Sequence, residues 1–493
     1  MIRYTLRTAG HADWDVLAEV WRLFFGDARR LDEPAALQAV TEAAAPLITD
    51  IQLESRLDGD TVSIAAGTGG HLNELRRDRC DRSERRRVMN RQLYFVLAEL
   101  TGIRFPWGSL TGVRPTQMAD YELGRTGSPA AAVAALRDDW FVSPAKAALA
   151  VEVNAAEQAI LGALPADALA VYVGVPFCPS RCLYCSFTSR DAGRQPQLLA
   201  SYAADLRTEL LSAGQDPIAA YGRPVALYIG GGTPTTLADA AFADLLNTVL
   251  DYTGRELEIT VEAGRPETIT PGKLALLRAA GITRICLNPQ TMKASTLPKL
   301  NRHHDTEDIL RTFELARAFG MTDINMDLIA GLTEEAPADF LGSVDSLIAL
   351  GPEKITLHAL AKKAGSFMHD AAGKGGLYEP LPDWVAAYAE AGDRLRAAGY
   401  APYYLYRQKY THAGLENIGF AKPGHETVYN VAMMSDRVNV LGFGAGSSTK
   451  FIVGTKAHRL HNPKDVKLYG ENAASLGAAK REEARRLGQY RER

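Results

Sequence analysis

The sequence predicts an α/β protein. A partial (β/α)6 barrel over residues 166–400 follows an N-terminal α+β domain over 1–165 and precedes a C-terminal region over 401–493. Three observations carry this expectation. Short apolar, β-branched runs recur six times between Val171 and His358. Amphipathic stretches ending in glycine separate them. The flanking segments show neither rhythm. Strand and helix in strict alternation give a parallel sheet covered by helices. Six units fall short of the eight that close a barrel, so one side stays open.

The six runs are Val171–Val175, Val225–Ile229, Glu258–Glu262, Arg284–Leu287, Ile324–Leu328 and Lys354–His358. Their length and composition suit strands buried on both faces. The intervening segments have helix punctuation. Thr270 can cap a helix, Pro271 suits its first turn and Gly281 stops it, with Gly320, Gly351 and Gly399 at equivalent stops. In the N-terminal region, Ile51–Leu57 and Thr61–Ala66 read as a hairpin about Asp58-Gly59-Asp60. A helix then presents Leu93, Val96, Leu97 and Leu100 on one face. Ahead of that face, eight arginines between Arg76 and Arg91 stand against Asp78, Asp81 and Glu84. They read as a solvated helix face, or else as a surface for anions. After Gly399 the chain turns aromatic and glycine-rich, and Ala478–Arg493 reads as a surface helix or frayed tail.

Composition narrows the function. Of 493 residues, 55 are Lys or Arg and 58 Asp or Glu, a net charge of −3. That balance argues against coating nucleic acid or an anionic membrane as the main task. No apolar run reaches the ~18 residues of a membrane span, and the start lacks the apolar core of a signal peptide. Five cysteines are too few and too clustered for a disulfide framework. A reducing, cytoplasmic location is the expectation.

Three of those cysteines fall in Cys178-Pro179-Ser180-Arg181-Cys182-Leu183-Tyr184-Cys185, just after the first predicted strand. Loops at the carboxyl ends of parallel strands are where α/β folds build sites. Three thiolates can hold three irons of a 4Fe–4S cubane and leave the fourth iron open, whereas a structural zinc usually takes four ligands. Cys80 and Cys286 read as ordinary thiols. The CxxxCxxC spacing after a strand resembles the radical S-adenosylmethionine (SAM) superfamily. There the open iron binds SAM, and one electron releases a 5′-deoxyadenosyl radical.

The remaining motifs agree with that resemblance. Gly230-Gly231-Gly232-Thr233-Pro234-Thr235 follows the second strand. It is no phosphate loop, because no Gly-Lys-Ser/Thr follows, but its backbone can approach a ligand closely. It resembles the loop that contacts the SAM amino group. By position, the resemblance implies that Glu262 lies near the SAM ribose. It also makes Gln290, Arg302 and Asp327 members of the SAM site, with Arg302 the natural fork for the methionine carboxylate. Asp327 stands in Asn325-Met326-Asp327-Leu328-Ile329-Ala330-Gly331-Leu332, which resembles the family's (N/D)xDLIxGLP signature.

Within the superfamily, the chain resembles the oxygen-independent coproporphyrinogen III oxidase family, in its HemZ branch. The resemblance runs through Tyr172–Cys178, Trp107–Thr116, Asn417–Glu426 and Leu441–Gly446. Tyr172 matches an active-site aromatic of that family; a core aromatic is the other reading. The implied reaction removes two propionate carboxylates of coproporphyrinogen III to give protoporphyrinogen IX. Its partners would be a porphyrinogen-type substrate and an electron donor such as flavodoxin or ferredoxin. Two departures stand out: Gly174 where the oxidase has His, and Ser186-Phe187 where it has Gly-Cys. They keep open a haem chaperone of the same family, or a methylating or cyclopropane-forming relative. Tyr403–Tyr410 is either an aromatic wall for the substrate or a plain strand, and His303 and His304 read as a solvent-facing pair.

Overall fold

A computed structural model describes residues 2–25, 28–30, 36–39, 50–68, 71–82, 84–111, 114–185, 190–361, 381–408, 411–454 and 456–491. Ser186, Phe187, Gly112, Val113, Lys409 and Tyr410 lie outside these. The chain forms two compact units. One comprises Met1–Asn154, Ala359–Ala386 and Leu405–Asn417; the other comprises Ala155–His358, Ala387–Tyr404 and Ile418–Arg493.

In the first unit, β1 (Ile2–Ala9), β2 (Ala28–Arg30), β3 (Ala36–Ala39), β4 (Asp50–Asp58), β5 (Thr61–Thr68) and β6 (His71–Arg79) form a sheet of order β2-β3-β1-β4-β5-β6. The expected hairpin is present: β4 and β5 pair antiparallel from Asp58 opposite Thr61, with Gly59 at φ +60° in the turn. The helices Trp14–Phe25 and Arg85–Thr101 contribute Trp21, Phe24, Leu93 and Leu97 to a core shared with Leu53 and Ile64. The arginine run is not one helix face. It spans the end of β6 and the start of Arg85–Thr101. Three of its members lie over aromatic rings: Arg76 over Phe95, Arg87 over Tyr121 and Arg91 over Trp140, at 4.9, 4.6 and 5.2 Å. Alternating charge hides the strand period, and the guanidinium groups are taken up by rings and by carboxylates of the chain itself: Arg76 pairs with Asp78, Arg85 with Asp13 and Arg86 with Glu19, at 3.4, 3.3 and 3.0 Å.

The second unit is built on one long sheet. Its strands are β7 (Ala168–Val175), β10 (Arg223–Gly231), β11 (Glu258–Glu262), β12 (Arg284–Cys286), β13 (Asp323–Ala330), β14 (Lys354–Ala359), β15 (Ala401–Tyr406), β16 (Asn417–Ala421), β17 (Asn439–Phe443), β18 (Ser448–Val453) and β19 (Lys456–His461). A separate pair, β8 (Phe177–Cys178) with β9 (Arg190–Asp191), brackets the cysteine loop. The order is β15-β16-β14-β13-β12-β11-β10-β7-β17-β18-β19. The six predicted runs therefore lie side by side, and β7, β10, β11, β12 and β13 pair in parallel. The sheet order is linear, as an open barrel requires. Residues after Gly399 supply strands to both edges: β16 runs antiparallel to β14, and β17 runs parallel to β7.

The structure decides between the alternatives of two further expectations. Ala478–Arg493 is no frayed tail through Arg491. It ends the helix Val466–Arg491, where Lys480 is buried and pairs with Glu209 at 2.6 Å. Glu209 is fully buried, and it also accepts from Tyr469 Oη, Asn462 Nδ2 and the Gly444 N–H. Tyr403 and Tyr404 are buried members of β15, so the strand reading holds there. Among the described residues, no helix is long and apolar enough to cross a membrane.

Candidate active site

Alternate residues of a strand share a face. One face of the parallel sheet carries polar side chains in tiers. Toward the amino ends stand Glu258, Arg284, Asp323 and Lys354; in the middle Tyr228, Thr260, Cys286, Asn325 and Thr356; toward the carboxyl ends Glu262, Asn288, Asp327 and His358. The cysteine loop leaves the carboxyl end of β7 and the glycine run leaves that of β10, so both motifs meet the last tier.

The glycine run packs on the strand that leads into the loop. Gly232 N–H donates to Val175 O and Thr233 N–H to Phe177 O, at 3.0 and 2.7 Å. A Cβ at Gly232 would sit 2.5 Å from Phe177 O, and one at Gly230 would sit 2.7 Å from the Glu262 carboxylate. Gly231 adopts φ +106°, a conformation open to glycine. Its N–H donates to Glu262 Oε2 at 2.9 Å, while Tyr228 Oη donates to Oε1 at 2.7 Å. Burial pushes the Glu262 carboxyl up to about 7 in spite of those two bonds. Pro234 and Thr235 are buried in the short turn Pro234–Thr236, and Thr235 shares a hydrogen bond with Thr268 at 2.6 Å.

Tyr172 and Tyr228 are half-buried neighbours across β7 and β10. Their rings stack at 6.4 Å, and each stacks on Tyr429, at 6.1 and 4.6 Å. Tyr172 therefore faces the site while packing in an aromatic layer. Gly174 lies under its ring: a Cβ there would meet Tyr172 Cε1 at 3.2 Å. Gln290 is at φ +71°, a strained value for a residue with a Cβ, and its N–H donates to Asp327 O at 2.9 Å. Its Oε1 and the Asn288 Oδ1 are buried without hydrogen-bond partners. Asp327 accepts from Asn325 Nδ2 at 2.7 Å and lies 3.6 Å from His358 Nε2.

The cysteine loop is tied down by residues far away in sequence. Ser180 Oγ donates to Asn301 O, Asn301 Nδ2 donates to Arg181 O, and Leu183 N–H donates to Leu300 O, at 2.8, 2.8 and 3.3 Å. Arg265, only 3% exposed, donates to both Ser180 O and Ser180 Oγ at 2.7 Å. Arg302, also 3% exposed, donates to Cys182 Sγ at 3.7 Å and Tyr184 Oη at 3.4 Å. Thr233 Oγ1 donates to Cys178 Sγ at 3.6 Å. Burial pushes Cys178 up to about 11. Burial opposes ionisation of Cys182 too, but Arg302 and Arg265 outweigh it and hold that thiol below its ordinary value.

Cys178, Cys182 and Cys185 are in no disulfide. Among the described residues, no three His, Cys, Asp or Glu side chains converge on a point suited to a single ion. A cubane asks for something else: each thiolate meets a different iron, and the set is spread around the cluster. Three cysteines on one loop, with two buried guanidiniums to balance negative charge, fit that group.

The structure thus brings Tyr172, the cysteines, Gly230–Thr235, Glu262, Gln290, Arg302 and Asp327 to one end of one sheet. It corrects one reading: His304 does not face solvent. It is 6% exposed and bonded to Glu267, whereas His303 is exposed. Sequence reasoning missed Arg265 and Glu267. A lone charged residue in a loop gives no sign of burial; the one available signal was Arg265 three positions past Glu262, on the same strand exit.

Comparison with known proteins accords with this geometry. The profile of the Radical SAM superfamily matches residues 172–347. The chain is 34% identical to the oxygen-independent coproporphyrinogen-III oxidase-like protein HemZ of Bacillus subtilis, over 87% of this chain and 88% of that one. It is 30% identical to the heme chaperone HemW of the same organism, over 62% and 76%. The solved structure of coproporphyrinogen III oxidase (HemN) from Escherichia coli shares the fold. Its TM-score is 0.50 at 23% identity, over 65% of this chain and 72% of that one. With a cysteine triplet at the carboxyl ends of an open parallel barrel and a HemZ relative matched along nearly its whole length, the chain belongs to the radical SAM superfamily, whose cofactors are a 4Fe–4S cluster and SAM, and within it to the coproporphyrinogen III oxidase-like family.

Proposed function

We propose that the protein carries out the oxygen-independent oxidative decarboxylation of coproporphyrinogen III to protoporphyrinogen IX. The observation that carries the reading is the convergence of the cysteine loop, the glycine run and the polar strand ends on one end of the sheet. Similarity to HemZ and to an oxygen-independent coproporphyrinogen III oxidase supports the substrate class. Cys178, Cys182 and Cys185 would hold three irons, leaving the fourth for SAM. When bound, the cluster and SAM supply the radical that takes a hydrogen atom from a propionate β-carbon. The chain's own residues bind and orient. Backbone carbonyls of Gly230–Gly232 would accept from the SAM amino group, and Glu262 would accept from the ribose hydroxyls. Gln290 Oε1 and Asn288 Oδ1 offer buried acceptors without partners in the ligand-free protein. Tyr172 and Tyr228 form a flat wall suited to a tetrapyrrole. The proposed electron donor, a flavodoxin or ferredoxin, reduces the cluster from outside.

A second reading, haem binding and delivery, draws on the similarity to HemW and on Gly174, which leaves backbone where the oxidases carry a histidine. One experiment separates the two. The protein is reconstituted anaerobically with iron and sulfide, then given dithionite, SAM and coproporphyrinogen III, and the products are read by mass spectrometry. Loss of two carboxyl groups together with 5′-deoxyadenosine is the expected result. Stoichiometric haem binding with no turnover of the porphyrinogen would replace the first reading with the second.

A further inference from the structure

We propose that His304 and Glu267 are positioning residues: they hold the Arg302 guanidinium against the Cys182 sulfur and so raise the reduction potential of the centre bound there. The inference rests on the reading of Cys182 as an iron ligand. It adds a second role for Arg302 beside that of a fork for the SAM carboxylate.

The geometry is a buried chain of donors. Arg302 has five N–H groups. Nε–H points at His304 Nε2 at 3.4 Å. The Nη1 pair faces Cys182 Sγ and Tyr184 Oη, and the Nη2 pair faces Gly264 O, at 3.5 Å, and Asn288 O. The N–H groups of Arg302 thus all face protein acceptors. On its other side, His304 Nδ1 lies 2.9 Å from Glu267 Oε2. Glu267 sits in the turn Pro266–Thr268, directly after Arg265. Burial opposes its charge, but His304 and Arg265 more than offset this and hold its carboxyl down at about 2. The carboxylate can only accept, so Nδ1 carries the proton. Arg302 Nε–H can only donate, so Nε2 offers its lone pair. One neutral tautomer satisfies both, and it fixes the imidazole plane and, through it, the guanidinium. A cluster gains negative charge on reduction, and a cation pinned at a ligand sulfur favours the reduced state.

An EPR-monitored redox titration of the reconstituted protein tests this. His304→Ala should have a lower potential than wild type. A tenfold fall in the reduced-to-oxidised ratio at fixed ambient potential is ~59 mV for a one-electron couple. Imidazole and alanine are both neutral here, so loss of charge at residue 304 does not account for such a shift. His304→Gln, whose amide can accept from Arg302 and donate to Glu267, should recover most of it. An alanine variant with wild-type iron content and an unchanged potential overturns the inference while leaving the ligand assignment standing. A Cys182→Ala protein that kept its cluster would instead overturn the assignment. If the alanine variant does not fold, 15N NMR of full-length protein with labelled histidine gives a separate test. The His304 signal, identified by its loss in His304→Gln, should report a neutral ring protonated at Nδ1. A proton on Nε2, or an imidazolium, overturns the proposal.

Discussion

The two ends of the parallel sheet use the same kinds of residue to opposite ends. At the amino ends, Arg284 pairs with Glu258 and Asp323 at 2.8 and 2.9 Å, and Lys354, 1% exposed, pairs with Asp323. Glu258 also accepts from the N–H groups of Val428 and Tyr429, at the start of the helix Val428–Met434, and His425 Nδ1 lies 3.2 Å from Asp323. The charges there answer one another. At the carboxyl ends, Glu262 is pushed toward neutrality, Gln290 is strained, and Asn288, Gln290 and Arg265 keep buried polar atoms without hydrogen-bond partners. One end is a finished structural network. The other is a set of groups poised for something not made of protein. Residue type alone does not separate a site from a scaffold; pairing does.

Substitutions at each end should split stability from chemistry. The largest effect is expected from Cys178→Ala: loss of the bound iron and of all SAM cleavage, with little change in the urea midpoint of the iron-free protein. Retention of reductive SAM cleavage would break the assignment of the upper end. At the lower end, Arg284→Ala removes the cation between Glu258 and Asp323 but leaves Asp323 its Lys354 partner and Glu258 its two N–H donors, so the loss should cost at most about 3 kcal/mol, the low end for breaking a buried pair. Urea unfolding should register that cost, while iron content in the folded fraction stays at the wild-type value.

Glu262 sharpens the contrast through pH. Its folded value of about 7 exceeds the ordinary 4.5, so the folded protein binds more protons than the unfolded one between those limits. Stability of the ligand-free protein should therefore fall as pH rises from about 4.5 to 7, by at most ~3 kcal/mol. Glu262→Gln should flatten that slope. A slope unchanged by the substitution would place the upper carboxylate in the same paired class as the lower ones. Glu267 acts in a separate window with the opposite sign: its depressed carboxyl adds stability as pH rises from about 2 to 4.5. The smallest expected effect is that of Gly230→Ala, whose methyl would press on the Glu262 carboxylate. It should cost ~1–3 kcal/mol in urea unfolding and weaken SAM binding in equilibrium dialysis.

Much of the fold and of the site is legible in the sequence. The six core strands are legible as short runs rich in β-branched residues between glycine-terminated helical stretches, and so is the cysteine spacing. What stayed hidden depended on distance along the chain. Nothing local in Leu441–Gly446 says that β17 lies against β7. Asn301-Arg302-His303-His304 reads as a polar loop, and only the fold shows that alternate members turn inward. The arginine run concealed a strand because its charge ignores the period of the backbone beneath it.

The pairing of β7 with β17 also sets a timetable for synthesis. Leu169 and Asn439 are register partners roughly 270 residues apart, and the cysteine loop follows directly from β7. A ribosome adding about 5–20 residues per second needs on the order of tens of seconds to cover that distance. During that interval the nascent chain holds three thiols beside an edge strand whose neighbour has not yet been made. An oxidant that reaches the ribosome-bound chain would find those thiols before the last strands could cover the edge beside them.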